Sequence, residues 1–196
     1  ISSAASDVYK RQVREEGQSP RLRTHQGEEL SFDDIVIATH ADQAMAMLSD
    51  IDDTESSVLS ELPYSENEVV LHTDTRLLPR KRLAWSSWNY RLRGSNSQAT
   101  LTYNMNILQG INSPETFCVT LNDTDAIDPR TILGEYRYAH PQFTIKGIGA
   151  QQRWPEINGP RNTGFCGAYW RNGFHEDGLF SGNRVADAIR EKRGLQ

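Results

Sequence analysis

The sequence predicts an α/β chain, an α+β fragment in which an antiparallel sheet is inserted between two pieces of an α/β domain. Three observations predict it. A continuous apolar run precedes a helix near the N-terminus, four short alternating segments occupy the middle, and an apolar strand, a glycine-rich loop and a helix come near the C-terminus. Alternation predicts half-buried strands, and a short continuous apolar run predicts a strand buried on both faces.

The composition excludes several classes of protein. The net charge is −5 with interspersed signs, and no long basic block is present to neutralise the phosphates of a nucleic acid. No apolar run approaches membrane-spanning length, and no metal-ligand spacing is present. Cys118 and Cys166 lie far apart in apolar contexts. We therefore expect buried free thiols instead of a disulfide framework, and a cytoplasmic location.

The first twelve residues are excluded from the fold prediction. They carry neither a start methionine nor the basic and apolar regions of a signal peptide. The string Ser6–Gln12 resembles translated adaptor sequence of the kind found in metagenomic assemblies, so residues 1–12 are predicted to be a non-native segment. A genuine linker or helix end is the alternative.

The next predicted elements are strands. Residues 13–39 predict a three-stranded meander, with alternation at residues 21–24 and 30–32 on either side of a turn at residues 26–28. The run Ile35–Thr39 predicts the strand that is buried on both faces.

A helix is predicted to follow this strand, with Asp42 as its cap. The side chains predicted on its buried side are Ala44, Met45, Met47 and Leu48. His40, at the strand exit, is either a polar residue at the helix end or a neighbour of a bound cofactor. Residues 52–60 are polar and predict a short surface helix.

Four strands at short spacing predict the antiparallel sheet. They are predicted at residues 68–74, 83–90, 99–105 and 117–121. Asp128 as a cap and Pro129 in a first turn then predict a helix start within residues 127–133.

Aromatic side chains alternate along adjacent predicted strands; they are Trp85, Trp88, Tyr90 and Tyr103. They form either one packed face of the sheet or an aromatic wall over a substrate cavity. Asn104 and Asn106 are predicted to add polar groups to such a cavity. His72 and Asp74 are two residues apart and share a strand face. They are either a structural pair or a polar cluster near an active site.

The segment Phe165–Ala186 is the most informative part of the sequence. It predicts a strand end, a loop freed by glycines, and a helix start of small residues at Gly178–Gly182. A helix N-terminus presents unpaired N–H groups and a partial positive charge, so it can hold an anionic or carbonyl-rich ligand.

Three polar residues, His175, Glu176 and Asp177, precede this helix start. Either Glu176 or Asp177 is expected to cap the helix, with the N–H groups of Gly178 and Leu179 facing the ligand. A metal site here is disfavoured, because adjacent residues point in different directions and three in a row rarely ligate one ion.

This segment resembles the last cofactor-binding element of flavin-containing amine oxidases and of their phytoene-desaturase-like and protoporphyrinogen-oxidase-like relatives. The matching residues are Gly167, Ala168, Gly178, Leu179, Ser181, Gly182 and Ala186. The local sequence is most similar to that of a bacterial NAD/FAD-binding, amine-oxidase-like subgroup. A related domain is fused to some cyclopropane fatty-acid synthases. One departure is Ala168, where these families usually carry an acidic residue.

The resemblance implies a fold with two dinucleotide-binding domains. Residues 13–50 and 150–196 would belong to the FAD-binding domain, and residues 51–149 to a substrate domain with the antiparallel sheet. The implied FAD-binding residues are Gly167, Ala168, His175, Glu176, Asp177, Gly178, Leu179, Ser181, Gly182 and Trp154. The implied substrate-binding residues are Trp88, Tyr103 and Asn104.

The sequence contains no Gly-x-Gly-x-x-Gly unit followed by an acidic ribose ligand. We therefore expect the C-terminal half of an FAD-dependent oxidoreductase, inactive alone, whose missing N-terminal half is its partner. The flavin would accept a hydride from an amine or C–C bond of a small-molecule or lipid-like substrate; no catalytic residue is identified. Alternatives are a non-redox flavin-like domain serving a lipid-modifying enzyme, and a cofactor-free β-rich binding module.

Overall fold

The computed structural model describes residues 11–13, 19–24, 26–92 and 100–194. Its strands are β1 Arg11–Val13, β2 Arg21–Arg23, β3 Glu29–Ser31, β4 Ile35–Ile37, β5 Tyr64–His72, β6 Trp88–Arg91, β7 Thr100–Asn104, β8 Cys118–Leu121, β9 Ile132–Pro141 and β10 Thr163–Phe165. Its α-helices are α1 Ala41–Met47, α2 Asp53–Leu59, α3 Met105–Gln109, α4 Ile145–Gln152, α5 Trp154–Ile157 and α6 His175–Arg193.

The chain divides into two compact units. The first unit comprises residues 1–64 and 141–196, and the second comprises residues 65–140. The sequence-based boundaries were residues 50/51 and 149/150, whereas α2 and the whole of α4 lie in the first unit. The class predicted from sequence is confirmed: helices and sheet are mixed, and an antiparallel sheet is present.

Strands β4 and β10 form a parallel pair in the first unit, with Ile35 beside Thr163 and Ile37 beside Phe165. The expectation that the β4 run is buried on both faces is wrong. Ile35 and Ile37 are buried, whereas Val36 is 45% exposed. The strand pleat turns alternate side chains to opposite faces, and the isoleucine face is the one that joins the core.

The N-terminal meander is present, but its strands are shifted. Strands β1, β2 and β3 pair antiparallel in that order, and β4 belongs to a different sheet. Arg11 and Gln12, which the sequence analysis set aside, lie in β1, while residues 1–10 lie outside the described part. The predicted turn is present at Gly27, whose φ of 85° suits glycine.

Helix α1 begins two residues earlier than predicted. His40, not Asp42, is its N-cap, and the His40 amide donates to Gln43 Oε1 at 3.2 Å. Asp42 lies in the first turn, where a carboxylate still favours the helix dipole. The N-cap position therefore goes to the residue at which the chain leaves β4.

Helix α2 is capped by Asp52, which accepts the Glu55 amide at 2.8 Å. The predicted surface helix is in fact partly buried, because Glu55, Val58 and Leu59 face the core. The guanidinium of Arg161, on the loop before β10, lies 2.5 Å from Glu55 and 2.6 Å from Asp52. This ion cluster ties α2 to the start of β10.

The packing of α6 on β10 depends on Gly164. A Cβ at Gly164 would lie 2.5 Å from Cγ1 of Val185, which is buried in the core with Phe165. The absence of a side chain at this strand position therefore lets the helix approach the sheet closely.

The second unit contains the five-stranded sheet, in the order β6-β7-β8-β5-β9. The four strands predicted from sequence correspond to β5, β6, β7 and β8, with the predicted Leu83–Tyr90 strand reduced to Trp88–Arg91. The predicted helix at residues 127–133 is wrong. Asp128 does accept the Arg130 amide, but it caps only a 3-10 turn, Pro129–Thr131, and the chain then enters β9.

The buried face of this sheet is largely polar, although Val70 and Cys118 also lie on it. His72 Nε2 lies 2.7 Å from the Thr120 hydroxyl, which lies 2.9 Å from the hydroxyl of Thr102. The Asp74 amide donates to His72 Nδ1 at 3.1 Å, so Nε2 carries the proton of a neutral imidazole. His72 and Asp74 therefore belong to a buried network whose polar groups are hydrogen-bonded to one another. This is the structural pair that was one of the two alternatives for these residues.

We predict that Gly164→Ala lowers the free energy of unfolding by about 1–3 kcal/mol, because the new methyl group overpacks Val185. Gly149→Ala is the matched control, because nothing lies within 4 Å of its Cβ position in α4. That change should raise the free energy of unfolding by about 0.5–1 kcal/mol. Urea unfolding followed by circular dichroism measures both, and equal effects of the two changes would contradict the packing argument.

We also predict that His72 makes the fold sensitive to acid. Burial lowers the pKa of His72 below its ordinary value of 6.5, against the opposing charge of Asp74. Below the unfolded-state pKa the unfolded chain binds a proton that the folded chain does not, so stability falls as the pH falls from about 6.5 towards the folded-state pKa. The wild type should lose more stability than His72→Gln across this window in urea unfolding. Parallel pH profiles would exclude His72 as the cause.

Candidate functional site

The carboxyl ends of β4 and β10 lie side by side and define the candidate site. The pairing continues one residue past the strands, where the Cys166 amide donates to the Ile37 carbonyl at 3.0 Å. Helices α1 and α6 both begin beyond this edge. Ligands of open α/β sheets bind outside the carboxyl ends of parallel strands, so this edge is where a ligand is expected.

The loop after β10 is held against α6 by small residues. The Gly167 amide donates to the Ser181 hydroxyl at 3.1 Å. A Cβ at Gly178 would lie 3.8 Å from the amide nitrogen of Ala168. With Gly164 under Val185, these contacts place one stripe of α6 along the strand end and the following loop.

The N-terminus of α6 lies three residues earlier than predicted. Phe174 is the N-cap, and Asp177 Oδ2 accepts the Phe174 amide at 3.0 Å. The Gly178 amide donates to the Phe174 carbonyl at 3.2 Å, so it does not face a ligand as expected. The first-turn amides of His175 and Glu176 are the ones that lack intrahelical acceptors.

The other predicted cofactor residues fall into two groups. His175, Glu176 and Leu179 are exposed, and Gly182 has open space at its Cβ position. Ser181 and Asp177 are buried, as is Trp154, whose indole donates to the Phe165 carbonyl at 3.2 Å. The guanidinium of Arg184 lies 3.8 Å above the Trp154 ring. The structure therefore places Trp154 in the packing behind β10.

A chain of aromatic rings in contact, which the sequence analysis missed, lies beside this edge. The His40 ring stacks on Tyr64 at 4.2 Å between centroids, Tyr64 meets Tyr169 edge-on at 6.3 Å, and Tyr169 lies 5.2 Å from Trp170. Burial, with the Asp42 charge, raises the pKa of Tyr64 to about 12. Burial also raises the pKa of Tyr169, so both phenols stay protonated near neutral pH.

Two buried donors in this chain of rings have no hydrogen-bond acceptor among the described residues: the Tyr169 hydroxyl and the Trp170 indole nitrogen. The rings that carry these two groups are neighbours, with centroids 5.2 Å apart. The sequence signal was the pair of aromatics directly after Ala168, to which the sequence analysis assigned no role.

The predicted substrate residues lie in the second unit. Trp88 and Tyr103 are cross-strand neighbours, with ring centroids 5.4 Å apart in an edge-on arrangement. Asn104 lies on the other face, buried, where its Oδ1 accepts the Ile107 amide and caps α3. Asn106 binds the backbone of Glu115 and Phe117. The structure thus brings Trp88 and Tyr103 together but separates both asparagines from them.

Trp85 is not part of the sheet. It follows a 3-10 turn, and its indole donates to the Pro79 carbonyl.

Cys118 and Cys166 are free and buried, and burial raises the pKa of the Cys118 thiol to about 11. Such thiols are poorly reactive. In the described part of the chain, no His, Cys, Asp or Glu side chains group as a metal site, and no helix has the length and apolar character to cross a bilayer.

No protein-family model and no curated protein matches this sequence. Solved structures do match. A CLA-producing fatty acid isomerase from P. acnes is similar with a TM-score of 0.58 and 15% identity, over 92% of this chain and 47% of that chain. Putrescine oxidase bound to putrescine is similar with a TM-score of 0.58 and 12% identity, over 93% of this chain and 48% of that chain.

A reduced UDP-galactopyranose mutase gives a TM-score of 0.57 and 14% identity, over 90% of this chain and 45% of that chain. The chain therefore spans about half the length of the solved structures it matches. At these identities the likeness establishes a shared fold, and two of these proteins are by name an oxidase and a fatty acid isomerase.

We predict that two changes of similar size at this site have different effects on stability. Ser181→Ala removes the acceptor of the Gly167 amide and should cost about 1 kcal/mol in the free energy of unfolding. Tyr169→Phe removes a buried hydroxyl that has no partner, so it should leave stability unchanged or raise it. Urea unfolding of both variants measures the difference, and a larger loss for Tyr169→Phe would contradict the assigned contacts.

Proposed function

We propose that this chain forms the flavin-facing part of an FAD-dependent oxidoreductase. The observation that carries the proposal is the meeting of three features at one sheet edge: the paired ends of β4 and β10, the Gly167–Ala168 turn, and the N-terminus of α6. These are the positions of the motif that resembles flavin-containing amine oxidases. The fold shared with an oxidase, putrescine oxidase, supports the same assignment.

The residues at the edge fit the flavin ring better than a phosphate. The amides of His175 and Glu176 are donors for a carbonyl oxygen. Glu176 and Asp177 are acidic residues of the same helical turn. Two carboxylates repel an anionic phosphate more strongly than they repel the carbonyl dipoles of a neutral ring. We therefore propose that this helix end faces the pyrimidine side of the flavin.

FAD, when bound, would supply the chemistry of the proposed reaction by accepting the hydride from a C–H bond of the carbon whose C–N or C–C bond is oxidised. The chain's own residues would bind and orient it. Gly167 and Ala168 would allow its close approach, and the first-turn amides of α6 would hold its ring. Tyr64 and Tyr169, kept protonated by their raised pKa values, do not serve as bases near neutral pH.

FAD titration of the purified chain tests the proposal. The sequence contains no Gly-x-Gly-x-x-Gly element for the adenosine diphosphate portion, so we expect a measurable dissociation constant weaker than about 1 μM, worth less than about 8 kcal/mol. A sub-micromolar dissociation constant for FAD would contradict the expectation that this chain holds only part of the FAD-binding site. No saturable binding at all would contradict the flavin assignment.

We predict that Gly178→Val weakens FAD binding about tenfold, equivalent to about 1.4 kcal/mol. Gly178 lies in regular helix, so backbone strain is not the reason. The branched side chain would push the first turn of α6 away from Ala168, against which the Gly178 Cβ position lies at 3.8–3.9 Å. Flavin fluorescence titration measures the change.

The matched control is Gly149→Val, a helical glycine of α4 with open space at its Cβ position. It changes helix propensity in the same way as Gly178→Val, and its Cβ position makes no contact within 4 Å. If both valine variants weaken FAD binding equally, the effect is general destabilisation and the proposed position of the flavin is wrong.

A further inference from the structure

The sequence contains two Asn-Gly pairs, Asn158–Gly159 and Asn172–Gly173. In such a pair the backbone nitrogen of the glycine can attack the side-chain amide of the asparagine, because glycine carries no Cβ that obstructs the approach. Asn158 lies in the segment before β10, and Asn172 lies in the turn before α6. The two sites therefore compare the same chemistry in different surroundings.

Asn158 is held in place by both ends of its side-chain amide. Its Oδ1 accepts the Phe165 amide at 2.6 Å, and its Nδ2 donates to the Trp154 carbonyl at 3.0 Å. Phe165 is fully buried, so turning the Asn158 side chain away would leave the Phe165 amide without its acceptor. The fold therefore fixes Asn158 in the position that these two contacts set.

Asn172 has no such restraint. Its side chain is exposed, and within the described residues it makes no hydrogen bond or ion pair. Gly173 has a φ of 89°, which a residue with a Cβ rarely adopts. The turn before α6 therefore requires the same glycine that leaves the Asn172 side chain open to attack.

The glycine amides do not account for a difference between the two sites. The Gly159 amide donates to the Thr163 carbonyl at 2.9 Å, and the Gly173 amide donates to the Ala168 carbonyl at 3.1 Å. Each amide must release one hydrogen bond before its nitrogen can attack. The freedom of the asparagine side chain separates the sites, because an intramolecular reaction depends on how often the reacting atoms meet in the right orientation.

We propose that Asn172 is a site of spontaneous deamidation in the folded chain and that Asn158 is protected from it. The Gly173 nitrogen loses its proton to solvent base and bonds to Cγ of Asn172, while the bond from Cγ to Nδ2 breaks and Nδ2 leaves as ammonia. Water then opens the resulting cyclic imide to aspartate or isoaspartate. The reaction needs no oxidant or reductant, and the turn gains a negative charge.

The isoaspartate product changes the start of α6. Its main chain runs through the former side chain and is one carbon longer before Gly173, so the Gly173 amide is displaced from the Ala168 carbonyl. Phe174, the N-cap of α6, follows directly. This consequence for binding rests on the proposed function: if Ala168 and the first turn of α6 hold the flavin, the aged chain should bind FAD about threefold to tenfold more weakly.

Peptide mapping of the folded chain after incubation in mildly alkaline buffer tests the proposal. Trypsin releases Asn158 in the peptide of residues 154–161 and Asn172 in the peptide of residues 172–184. Tandem mass spectrometry measures the converted fraction of each asparagine and distinguishes Asn172 from Asn183 in the second peptide. We expect Asn172 to convert at least about tenfold faster than Asn158.

The same incubation in urea is the control for local sequence. Neither asparagine is restrained in the unfolded chain, so the two conversion rates should agree within about threefold. Equal rates in the folded chain would overturn the proposal. A difference that persists unchanged in urea would also overturn it, because the local sequence and not the fold would then be the cause.

FAD titration of fresh and aged protein tests the consequence for the site. Asn172→Gln, aged in the same way, is the matched control and should keep the affinity of the fresh protein. Aged wild type that binds FAD as tightly as fresh wild type would refute this consequence. If fresh wild type binds no FAD, the flavin assignment fails, while the conversion rates of Asn172 and Asn158 still decide whether the modification occurs.

Discussion

The packing of α6 along β10 is the contact on which the candidate site depends. Val185 lies over Gly164 in the strand, Ser181 accepts the amide of Gly167 at the strand end, and Gly178 faces Ala168 in the loop. These helix residues are spaced at three and four positions, so they share one face. The helix is thereby fixed at the middle of the strand, at its end and beyond it, which sets the direction of its N-terminus.

The sheet of the second unit is stabilised differently from the first unit, because it buries polar side chains. That arrangement is stable only when the buried groups satisfy one another, as His72, Thr120 and Thr102 do. The neutral imidazole tautomer of His72 is fixed by the Asp74 amide. Most of the apolar side chains of β6, β7 and β8 lie on the other face, where the described residues cover them incompletely.

Sequence patterns correctly predicted the elements in which apolar residues repeat regularly along the chain. The predictions were wrong where they rested on a short local signal. The α6 pattern and the four sheet strands were recognised because apolar residues repeat regularly. Asp128 and Pro129 carry a strong helix-start signal, yet the chain enters β9 after one 3-10 turn, because pairing with the sheet overrides local propensity. Trp154 could not be placed, since one aromatic residue gives no periodicity.

The sequence predicted where the candidate site lies more accurately than it predicted what each residue of the site does. The glycine and serine residues of α6 indicated a close approach by a ligand, but in the structure Gly178 and Ser181 make the close approach to the chain's own loop. A stripe of small residues therefore has a sufficient explanation in helix packing alone. What packing does not explain is that the same stripe brings the free amides of the α6 terminus to the edge where two parallel strands end. The case for a bound cofactor rests on this convergence of backbone groups, which a side-chain pattern in the sequence does not display.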